Sequence, residues 1–460
     1  MRYIHLLTLH GLVTAVAVLA YVVTSHAMAQ RRHPTAAIAW ILFMLLVPYL
    51  ALPAFLAFGT RKLERPASTA HPGPPVGRGQ STWAVRTIEA LCQPSPAAYR
   101  DLELHPDGGA ARDALFDIID GAKASIDLCI FILARDGMGD AVVARLRDRA
   151  RAGVRVRLLV DGLGRLMRWP PYLGALRDAG AQVAFFAPPL SAPWRGRTNL
   201  RNHRKYLIAD GALATARLWC GGRNLAEEYF GGSRGAPPWR DLSFGLSGPV
   251  IRQMSALFER DWAFARGKPV DPAAAPADLP PAPGGAQLVA AGPDQADDTV
   301  YSVLVAAAYQ ARRRIALSTP YFVPDSALLT ALCLAARRGV AVDLLLPARS
   351  NHRLSDLARN RALRSLSAAG ARVWLAQGML HAKLAVIDDA LALAGSVNLD
   401  SRSLFLNYEL MLAFHHAADV QRFAAWFDAE RAPAKSYLAT PPGLVRDVAE
   451  GMLLWLAFQL

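Results

Sequence analysis

Hydrophobic residues form two long uncharged stretches at the start of the chain, residues 4–23 and 35–58. Each holds about 20 residues, which is the length that a helix needs to cross a bilayer. Pro48 and Pro53 are expected to kink the second helix. A pair of buried core helices is the alternative, but neither stretch carries a charge. The pattern therefore predicts a transmembrane hairpin over residues 1–62.

A cleaved signal peptide is a second interpretation of the first stretch. Arg2 supplies a positive start, and Ala27-Met28-Ala29 resembles a cleavage site before Gln30. Cleavage would leave one anchor and could place the rest of the chain outside the cell. The apolar stretch is longer than the hydrophobic region of a usual signal peptide, so we favour the uncleaved hairpin.

Basic residues around the hairpin predict its orientation. Arg2 and the basic cluster at residues 61–65 lie on one side, whereas Arg31 and Arg32 lie on the other. Cytoplasmic flanks of membrane helices carry the excess of Lys and Arg. Both ends of the hairpin, and the rest of the chain, are therefore expected in the cytoplasm.

Beyond the hairpin, short buried strands alternate with amphipathic helices, and this series occurs twice. Three segments of the first copy match three of the second: residues 122–128 with 312–317, 153–161 with 339–347, and 179–183 with 369–373. Strands alternating with helices of this length are typical of α/β lobes, in which helices cover both faces of a sheet. We predict a first lobe over residues 101–270 and a second over residues 291–440.

Segments of different composition separate these units. Residues 63–100 contain a Pro- and Gly-rich linker that leads into the first lobe, and residues 271–290 are a Pro/Ala-rich connector. Residues 441–460 end in an apolar segment that is too short to span a bilayer. We expect it to dock into a groove of the core, with insertion into a membrane surface as the alternative.

Each lobe carries the pattern His-x-Lys-x4-Asp followed by a Gly/Asn turn. The first copy is His203, Lys205 and Asp210 with the turn Gly221-Gly222-Arg223-Asn224; the second is His381, Lys383 and Asp388 with the turn Gly395-Ser396-Val397-Asn398. One copy could be chance, because a lone histidine in an apolar strand is usually a packed core residue. Two copies with matching turns are hard to explain by packing alone.

The residue types in this pattern suit phosphodiester chemistry. A neutral imidazole can attack phosphorus, and a neighbouring ammonium can hold a phosphate oxygen. Glycine turns let backbone N–H groups approach a phosphate closely, and asparagine adds amide donors. A second histidine can protonate the leaving oxygen. Two half-sites would then form one site, for which we expect no metal and no cofactor, because no His/Cys/carboxylate cluster has ligand spacing.

Charge and cysteine content narrow the class of protein. The formal net charge of +14 favours an anionic partner, either a membrane surface or nucleic acid. The first lobe has an extra loop, residues 188–197, in which Trp194, Arg195 and Arg197 fit either anionic headgroups or an ordinary surface loop. The four cysteines lack paired or metal-like spacing, so we interpret them as free thiols.

The paired motif resembles that of the phospholipase D superfamily, and the wider pattern resembles its bacterial cardiolipin synthases. Thr319-Pro320-Tyr321-Phe322-Val323-Pro324-Asp325 is similar to that family's strand-to-helix signature, and residues 395–409 are similar to the segment after its second motif. Arg31-Arg32-His33-Pro34-Thr35 fits its hairpin. The resemblance implies an α/β fold of two fused α/β/α sandwich lobes, with the site at their interface.

The resemblance also implies roles for individual residues. His203 would be the nucleophile and His381 the general acid, then the base. The phosphate or substrate would be bound by Lys205, Lys383, Asn224, Asn398, Ser396 and Gly222. Asp241 and Glu409 would orient the imidazoles. Asp210 and Asp388 complete the catalytic motifs, where closing the turn after each strand is the role expected of them. Arg223, where the second copy has Val397, could add a phosphate contact or face solvent.

Three functions remain in competition at this stage. The leading one is a multi-pass inner-membrane transferase that joins two phosphatidylglycerol molecules in an anionic bilayer and releases glycerol. A phospholipase D-type hydrolase would pass the phosphatidyl group to water instead. A nuclease is disfavoured, because no aromatic-rich nucleic-acid motif is present and we expect no nucleic-acid partner. A homo-oligomer is possible, although one chain already holds both half-sites.

Overall fold

Three apolar helices open the chain in the computed structural model, which describes residues 2–27, 34–59, 82–188, 198–232, 235–270, 279–444, 446–448 and 450–451. Their bounds are α1 Arg2–Ala27, α2 Pro34–Leu46 and α3 Pro48–Phe58. They pack on one another through a small apolar cluster that includes Tyr21 and Phe55, whose ring centroids lie 5.3 Å apart.

The second apolar stretch is broken rather than merely kinked. Val47 has φ of −140°, and Pro48 begins α3 at a position where its missing N–H costs no hydrogen bond. In the described part of the chain, one helix is long and apolar enough to cross a membrane, over Thr8–Ser25 near the N-terminus. The prediction of an apolar N-terminal helix is confirmed for α1, whereas the second apolar stretch forms two shorter helices.

The first lobe is built on a seven-stranded sheet with the order β1-β8-β7-β6-β2-β3-β4. Its elements, with the helix that precedes them, are α4 Trp83–Ala90, β1 Arg100–His105, α5 Gly108–Gly121, β2 Ser125–Ile130, α6 Gly137–Arg151, β3 Arg155–Asp161, α7 Gly164–Met167, α8 Gly174–Asp178, β4 Gln182–Phe186, β5 Arg201–Asn202, β6 Tyr206–Ala209, β7 Arg217–Gly221, β8 Ser243–Ser247 and α9 Ile251–Arg266.

The second lobe repeats this arrangement in a nine-stranded sheet. Its elements are β9 Ala286–Ala291, α10 Thr299–Gln310, β10 Arg314–Ser318, β11 Phe322–Val323, α11 Ser326–Arg337, β12 Ala341–Pro347, α12 Arg353–Ala368, β13 Arg372–Ala376, β14 Leu384–Ile387, β15 Leu391–Gly395, β16 Leu399–Asp400, α13 Ser401–Phe405, β17 Asn407–Phe414, α14 Ala417–Arg431 and β18 Lys435–Ser436. The path β18-β13-β12-β10-β14-β15-β17-β5 is completed by β9, which pairs with β17.

The lobes share one central core. Alternation along β6 sends Tyr206 and Ile208 into a cluster that also holds residues of α9, α14 and the second sheet, while Leu207 and Ala209 face the outer helices of the first lobe. The side chains of strand β14 also alternate between two cores, with Leu384 in the central cluster. The two sheets are therefore joined through a common apolar layer, which fixes the two motifs relative to each other.

Some boundaries differ from those expected from composition. Strand β9 occupies the end of the segment that we assigned to the connector, and α4 lies in the segment assigned to the linker. Ala84 and Ile88 of α4 are buried in the outer core of the second lobe. The loop at residues 189–197 and the apolar residues 452–460 lie outside the described residues.

Candidate active site

The first motif begins on a strand that belongs to the sheet of the other lobe. Strand β5 pairs in parallel with β17, with Arg201 opposite Asn407 and Asn202 opposite Tyr408. The backbone N–H of His203 then donates to the carbonyl of Tyr408 at 2.8 Å. Because His203 is anchored on β17, it lies at the boundary between the lobes.

The second motif is anchored reciprocally. The backbone N–H of His381 donates to the carbonyl of Arg240 at 2.6 Å, and the N–H of Arg240 donates to the carbonyl of Met379 at 2.9 Å. Arg240 precedes Asp241 in the first lobe. Each histidine is therefore held by backbone hydrogen bonds to the segment of the other lobe that carries an acidic residue.

Glu409 of the second lobe faces His203 of the first. Its Oε1 lies 2.9 Å from Nδ1 of His203, and its side chain is fully buried. The hydroxyls of Ser396 and Ser403 donate to this carboxylate at 2.5 and 3.1 Å. Burial alone would raise the pKa of Glu409, but His203 and Lys205 hold it below its usual value, so the carboxylate is ionised.

Asp241 of the first lobe faces His381 in the same manner, with Oδ2 at 2.7 Å from Nδ1. Burial would raise the pKa of Asp241, but Lys383 and His381 hold it low. Gly222 lies behind this carboxylate, where a Cβ would come within 2.3 Å of Oδ1. The two half-sites thus differ: Ser396 donates a hydroxyl to one carboxylate, whereas Gly222 makes room for the other.

Both imidazoles are kept neutral in the unliganded site. Burial lowers the pKa of His203, and Glu409 opposes this only in part. Burial and the ammonium of Lys383 lower the pKa of His381 to about 3. With each Nδ1 facing a carboxylate, Nε2 is the nitrogen of each ring that is left for chemistry; that of His381 also lies 3.1 Å from Nζ of Lys383.

Two lysines bring positive charge to the same place. Lys383 Nζ lies 2.7 Å from Nδ1 of His381, and Lys205 Nζ donates to the carbonyl of His203 at 2.6 Å. Both lysines are buried. Burial lowers the pKa of Lys383 to about 7 and that of Lys205 to about 8. An anion placed between them would offset the cost of burying these ammonium groups.

The remaining predicted residues surround this centre. Asn224 receives the N–H of Ile132 at 3.1 Å and donates to the Tyr229 hydroxyl at 2.9 Å. Asn398 donates to Ser403 at 3.2 Å, while its buried Oδ1 has no hydrogen-bond partner among the described residues. Each asparagine therefore bonds a neighbour of a histidine: Tyr229 packs on the His381 ring, and Ser403 donates to Glu409, which faces His203.

The motif aspartates lie at the far end of their strands. Asp210 accepts hydrogen bonds from the backbone N–H groups of residues 123–125, and Asp388 accepts from those of residues 312–314. Both have positive φ, 54° and 50°. These hydrogen bonds close the turn after each motif strand and hold it against the start of the neighbouring strand. Neither carboxylate reaches the histidines.

Arg223 does not face solvent, which corrects one of the two alternatives drawn from the sequence. It is fully buried and donates to Ser243 Oγ at 2.9 Å and to the carbonyl of Tyr229 at 3.3 Å. Burial lowers its pKa to about 10, while Asp241 opposes the shift. Its guanidinium adds positive charge behind the Asp241–His381 pair.

Aromatic side chains that sequence reasoning missed pack against the histidines. Phe131 contacts the His203 ring with centroids 4.8 Å apart, and Tyr229 and Trp239 contact His381 at 5.1 and 5.8 Å. These rings restrain the imidazoles and lower the local polarity. Trp239 stood two positions before Asp241 in the sequence, which was the one available signal for its place.

The arrangement can bind a phosphodiester between two ammonium groups, with an imidazole on either side. No group of His, Cys, Asp or Glu with the geometry of a metal site occurs within the described ranges. The two lysines supply positive charge, and the two imidazoles can supply a neutral nucleophile and a proton carrier. Such a set of side chains is sufficient for in-line displacement at phosphorus.

Comparison with known proteins identifies similar chains. Residues 115–262 and 304–431 match the family described as cardiolipin synthase, PLD-like domain, and residues 13–59 match the phospholipase D-nuclease N-terminal family. Cardiolipin synthase A of Pseudomonas putida is 33% identical over 408 residues, and that of Pseudomonas fluorescens is 34% identical over 408 residues; each alignment covers 84% of both chains. The crystal structure of phosphatidylserine synthase from Haemophilus influenzae is similar in fold, with a TM-score of 0.63 at 13% identity over 82% of this chain and 100% of that one.

Proposed function

The chain belongs to the phospholipase D-like cardiolipin synthase family, and from that premise we propose that it transfers a phosphatidyl group from one phosphatidylglycerol to another and releases glycerol. The observation that carries this proposal is the pair of buried His–carboxylate contacts, one from each lobe, beside two buried lysines. That set supplies a nucleophile, a proton carrier and phosphate-binding charge in one place.

The first half-reaction uses His203 as the nucleophile. Its Nε2 attacks phosphorus of the donor lipid, the bond from phosphorus to the glycerol headgroup oxygen breaks, and His381 protonates that oxygen. Glycerol leaves and a phosphatidyl group remains on His203. In the second half-reaction the headgroup hydroxyl of another phosphatidylglycerol attacks phosphorus, His381 accepts its proton, and the bond from phosphorus to His203 breaks.

Substrate binding prepares His381 for its role as an acid. In the unliganded site, burial and the Lys383 ammonium lower the pKa of His381 to about 3. A bound phosphodiester carries a negative charge that offsets the two lysines, so it raises the pKa of the imidazole. The general acid is therefore charged when the donor is present, and Asp241 supports the imidazolium.

Hydrolysis is the second candidate, because water could replace the acceptor lipid in the second half-reaction. The apolar α1 helix favours transfer, since an enzyme held at a bilayer meets both lipids at high local concentration.

We propose further that the catalytic lobes lie in the cytoplasm at the inner membrane and that residues 35–58 complete a second span. One chain supplies both half-sites, so no second copy is needed for the chemistry.

Product analysis with the purified full-length protein and phosphatidylglycerol vesicles tests the proposal. In a chelator-treated, demetallated buffer we expect cardiolipin and an equal amount of glycerol. Phosphatidic acid as the main product would assign hydrolysis instead. A strict need for an added divalent ion in the chemical step would contradict the side-chain mechanism.

A further inference from the structure

Two arginines, one from each lobe, converge on a short segment beside the first motif. Arg201 of β5 donates to the carbonyls of Leu200 and Thr198 at 2.5 and 2.6 Å. Arg402 of α13 donates to the side chain and the backbone carbonyl of Asn199 at 3.0 and 3.1 Å. Both guanidinium groups therefore lie against residues 198–200, and we call them the arginine pair.

The arginine pair has carboxylates nearby, among them Asp161 and Asp400, but none of them in direct contact with a guanidinium. Within the described part of the chain, neither guanidinium forms an ion pair with a carboxylate; the buried Arg157, Arg204 and Arg359 do form one, whereas the buried Arg223 does not. Arg201 is 7% exposed, and its Nε has no hydrogen-bond partner among described residues.

Burying such charge is unfavourable unless an anion compensates for it. Burial lowers the pKa of Arg201, although Asp161 opposes the shift, and burial together with Arg201 lowers the pKa of Arg402, although Asp400 and Asp161 oppose it. A shared anion would offset the cost of burying both guanidinium groups. Arginine's planar fork suits a phosphate, which it can bind through two hydrogen bonds.

The arginine pair adjoins the catalytic centre but is separate from the two lysines. Arg201 is two residues before His203 on the same extended segment, and the N–H of Asn202 between them donates to Asp161 at 2.7 Å. Arg402 follows the Gly/Asn turn of the second motif. The donor phosphate has Lys205 and Lys383, so the arginine pair provides for a second anion.

We propose that Arg201 and Arg402 bind the phosphodiester of the acceptor lipid and so select a lipid acceptor over water. This rests on the proposed function, because the acceptor phosphatidylglycerol carries a phosphate of its own, whereas water and free glycerol carry none. The product holds two phosphodiesters bridged by one glycerol. A second anion site beside the first is what such a product requires.

The test compares two reactions of the purified full-length protein in phosphatidylglycerol vesicles. One is cardiolipin formation, and the other is exchange of labelled glycerol into phosphatidylglycerol, which uses the same donor step but a neutral acceptor. In Arg201→Gln and Arg402→Gln we expect cardiolipin formation to fall on the order of tenfold or more relative to exchange, as for loss of a charge-assisted hydrogen bond. Arg201→Lys should fall less, and Arg337→Gln, an exposed arginine of α11, should leave the ratio unaltered.

Each outcome decides something. A parallel loss of both reactions would give the arginine pair a structural or donor role and overturn the proposal, as would an unaltered ratio. Inhibition of the wild type by millimolar inorganic phosphate that the variants lack would assign the pair to free phosphate. Failure of the wild type to form any cardiolipin would instead refute the proposed function itself.

A different observation concerns the outer edge of the site. Four large apolar side chains on one short segment, which we call the apolar rim, are each more than half exposed: Leu166, Met167, Trp169 and Tyr172. Arg165 and Arg168 lie on the same segment; Arg168 pairs with Glu228 at 2.9 Å, and Arg165 lies over the Phe185 ring. Exposed apolar and aromatic residues beside arginines are typical of surfaces that meet a membrane interface.

The apolar rim is tied to the nucleophile. Asp161 accepts hydrogen bonds from the N–H groups of Leu163 and Gly164 at 2.8 and 3.0 Å and from that of Asn202, next to His203. Gly164 packs so closely on the Phe131 carbonyl that a Cβ would lie 1.8 Å from it, and Phe131 contacts the His203 ring. The position of this segment is therefore fixed relative to His203.

We infer that the apolar rim docks on an anionic bilayer surface and places the site at the level of the lipid headgroups. Trp169→Ser with Tyr172→Ser should lower the rate on phosphatidylglycerol vesicles relative to the rate on a monomeric short-chain phosphatidylglycerol. Leu213→Ser, in the turn that follows β6, where Leu213 is 46% exposed, is the matched control. An equal loss on both substrates, or no loss on vesicles, would overturn the inference.

Discussion

Asp241 of the first lobe lies 2.7 Å from Nδ1 of His381 in the second lobe, and Glu409 of the second lobe lies 2.9 Å from Nδ1 of His203 in the first. Neither imidazole is oriented by a carboxylate of its own repeat. Because each carboxylate faces the histidine of the other lobe, each half-site depends on correct packing of the two lobes. A single lobe of this chain would hold a histidine whose orienting group is missing.

Removing either carboxylate should therefore impair the histidine of the opposite lobe. Asp241→Asn should slow the step that needs a proton from His381, and Glu409→Gln should slow attack by His203, each by on the order of 10²–10⁴-fold on phosphatidylglycerol. The two losses can be distinguished with a phosphodiester whose leaving group is an acidic aryl alcohol, because that group departs without protonation. Asp241→Asn should retain a burst of aryl alcohol and Glu409→Gln should not; identical behaviour of the two variants would argue against the exchanged pairing.

The same substrate assigns the histidines themselves. Either His→Ala change should abolish activity on the natural lipid, since glycerol is a poor leaving group. With the aryl phosphodiester, His381→Ala should release a burst and stall with a phosphatidyl group on His203, whereas His203→Ala should give no burst. Mass spectrometry of the trapped protein locates the modified residue. A label on His381 would reverse the roles but leave the two-half-site mechanism intact.

Gly222 offers a test of the space behind Asp241. A Cβ there would come within 2.3 Å of the carboxylate, so Gly222→Ala must move Asp241 away from His381. A shift of about 1 Å near a reacting group can cost on the order of a hundredfold in rate, and we expect a loss of that size in cardiolipin formation. Gly121→Ala, where a Cβ meets nothing within 4 Å, is the control. Full activity of Gly222→Ala would show that Asp241 does not need its present position.

The sequence was sufficient for the two lobes and for the motif residues because repeats and period-2 strands are local signals. The resemblance implied that Asp241 and Glu409 orient the imidazoles, but not that each faces the histidine of the other lobe, since that depends on β5 joining the sheet of the other lobe. For Arg223 the sequence left a phosphate contact and exposure to solvent open, and the second alternative was wrong, because the side chain is buried under Tyr229 and Ser243. Phe131 left no signal, because nothing in its neighbourhood distinguishes it from an ordinary core residue.

Activity should fall at both low and high pH, because His203 must be neutral whereas Lys205 and Lys383 must be charged. His203 must be neutral, and its pKa lies below the usual 6.5, so the acid limb of kcat/KM should fall below pH 6.5. The lysines must be charged, and that form is lost as pH rises through the pKa of Lys383 at about 7 and that of Lys205 at about 8. Lys383→Arg keeps its charge and should shift the alkaline limb upward. An alkaline limb that does not move in this variant would exclude Lys383 as its source.

The orientation of the membrane segment can be tested without any knowledge of its structure. In the uncleaved hairpin, Arg31 and Arg32 lie across the membrane from Arg2 and the catalytic lobes. In a variant whose four native cysteines are replaced, a cysteine at Gln30 should react with an impermeant thiol reagent in intact cells, and one at Gly77 should react only after lysis. Reaction at both positions in intact cells would place the lobes outside. A mature protein that begins at Gln30 would establish the cleaved signal peptide instead, and would leave residues 35–58 as the remaining anchor.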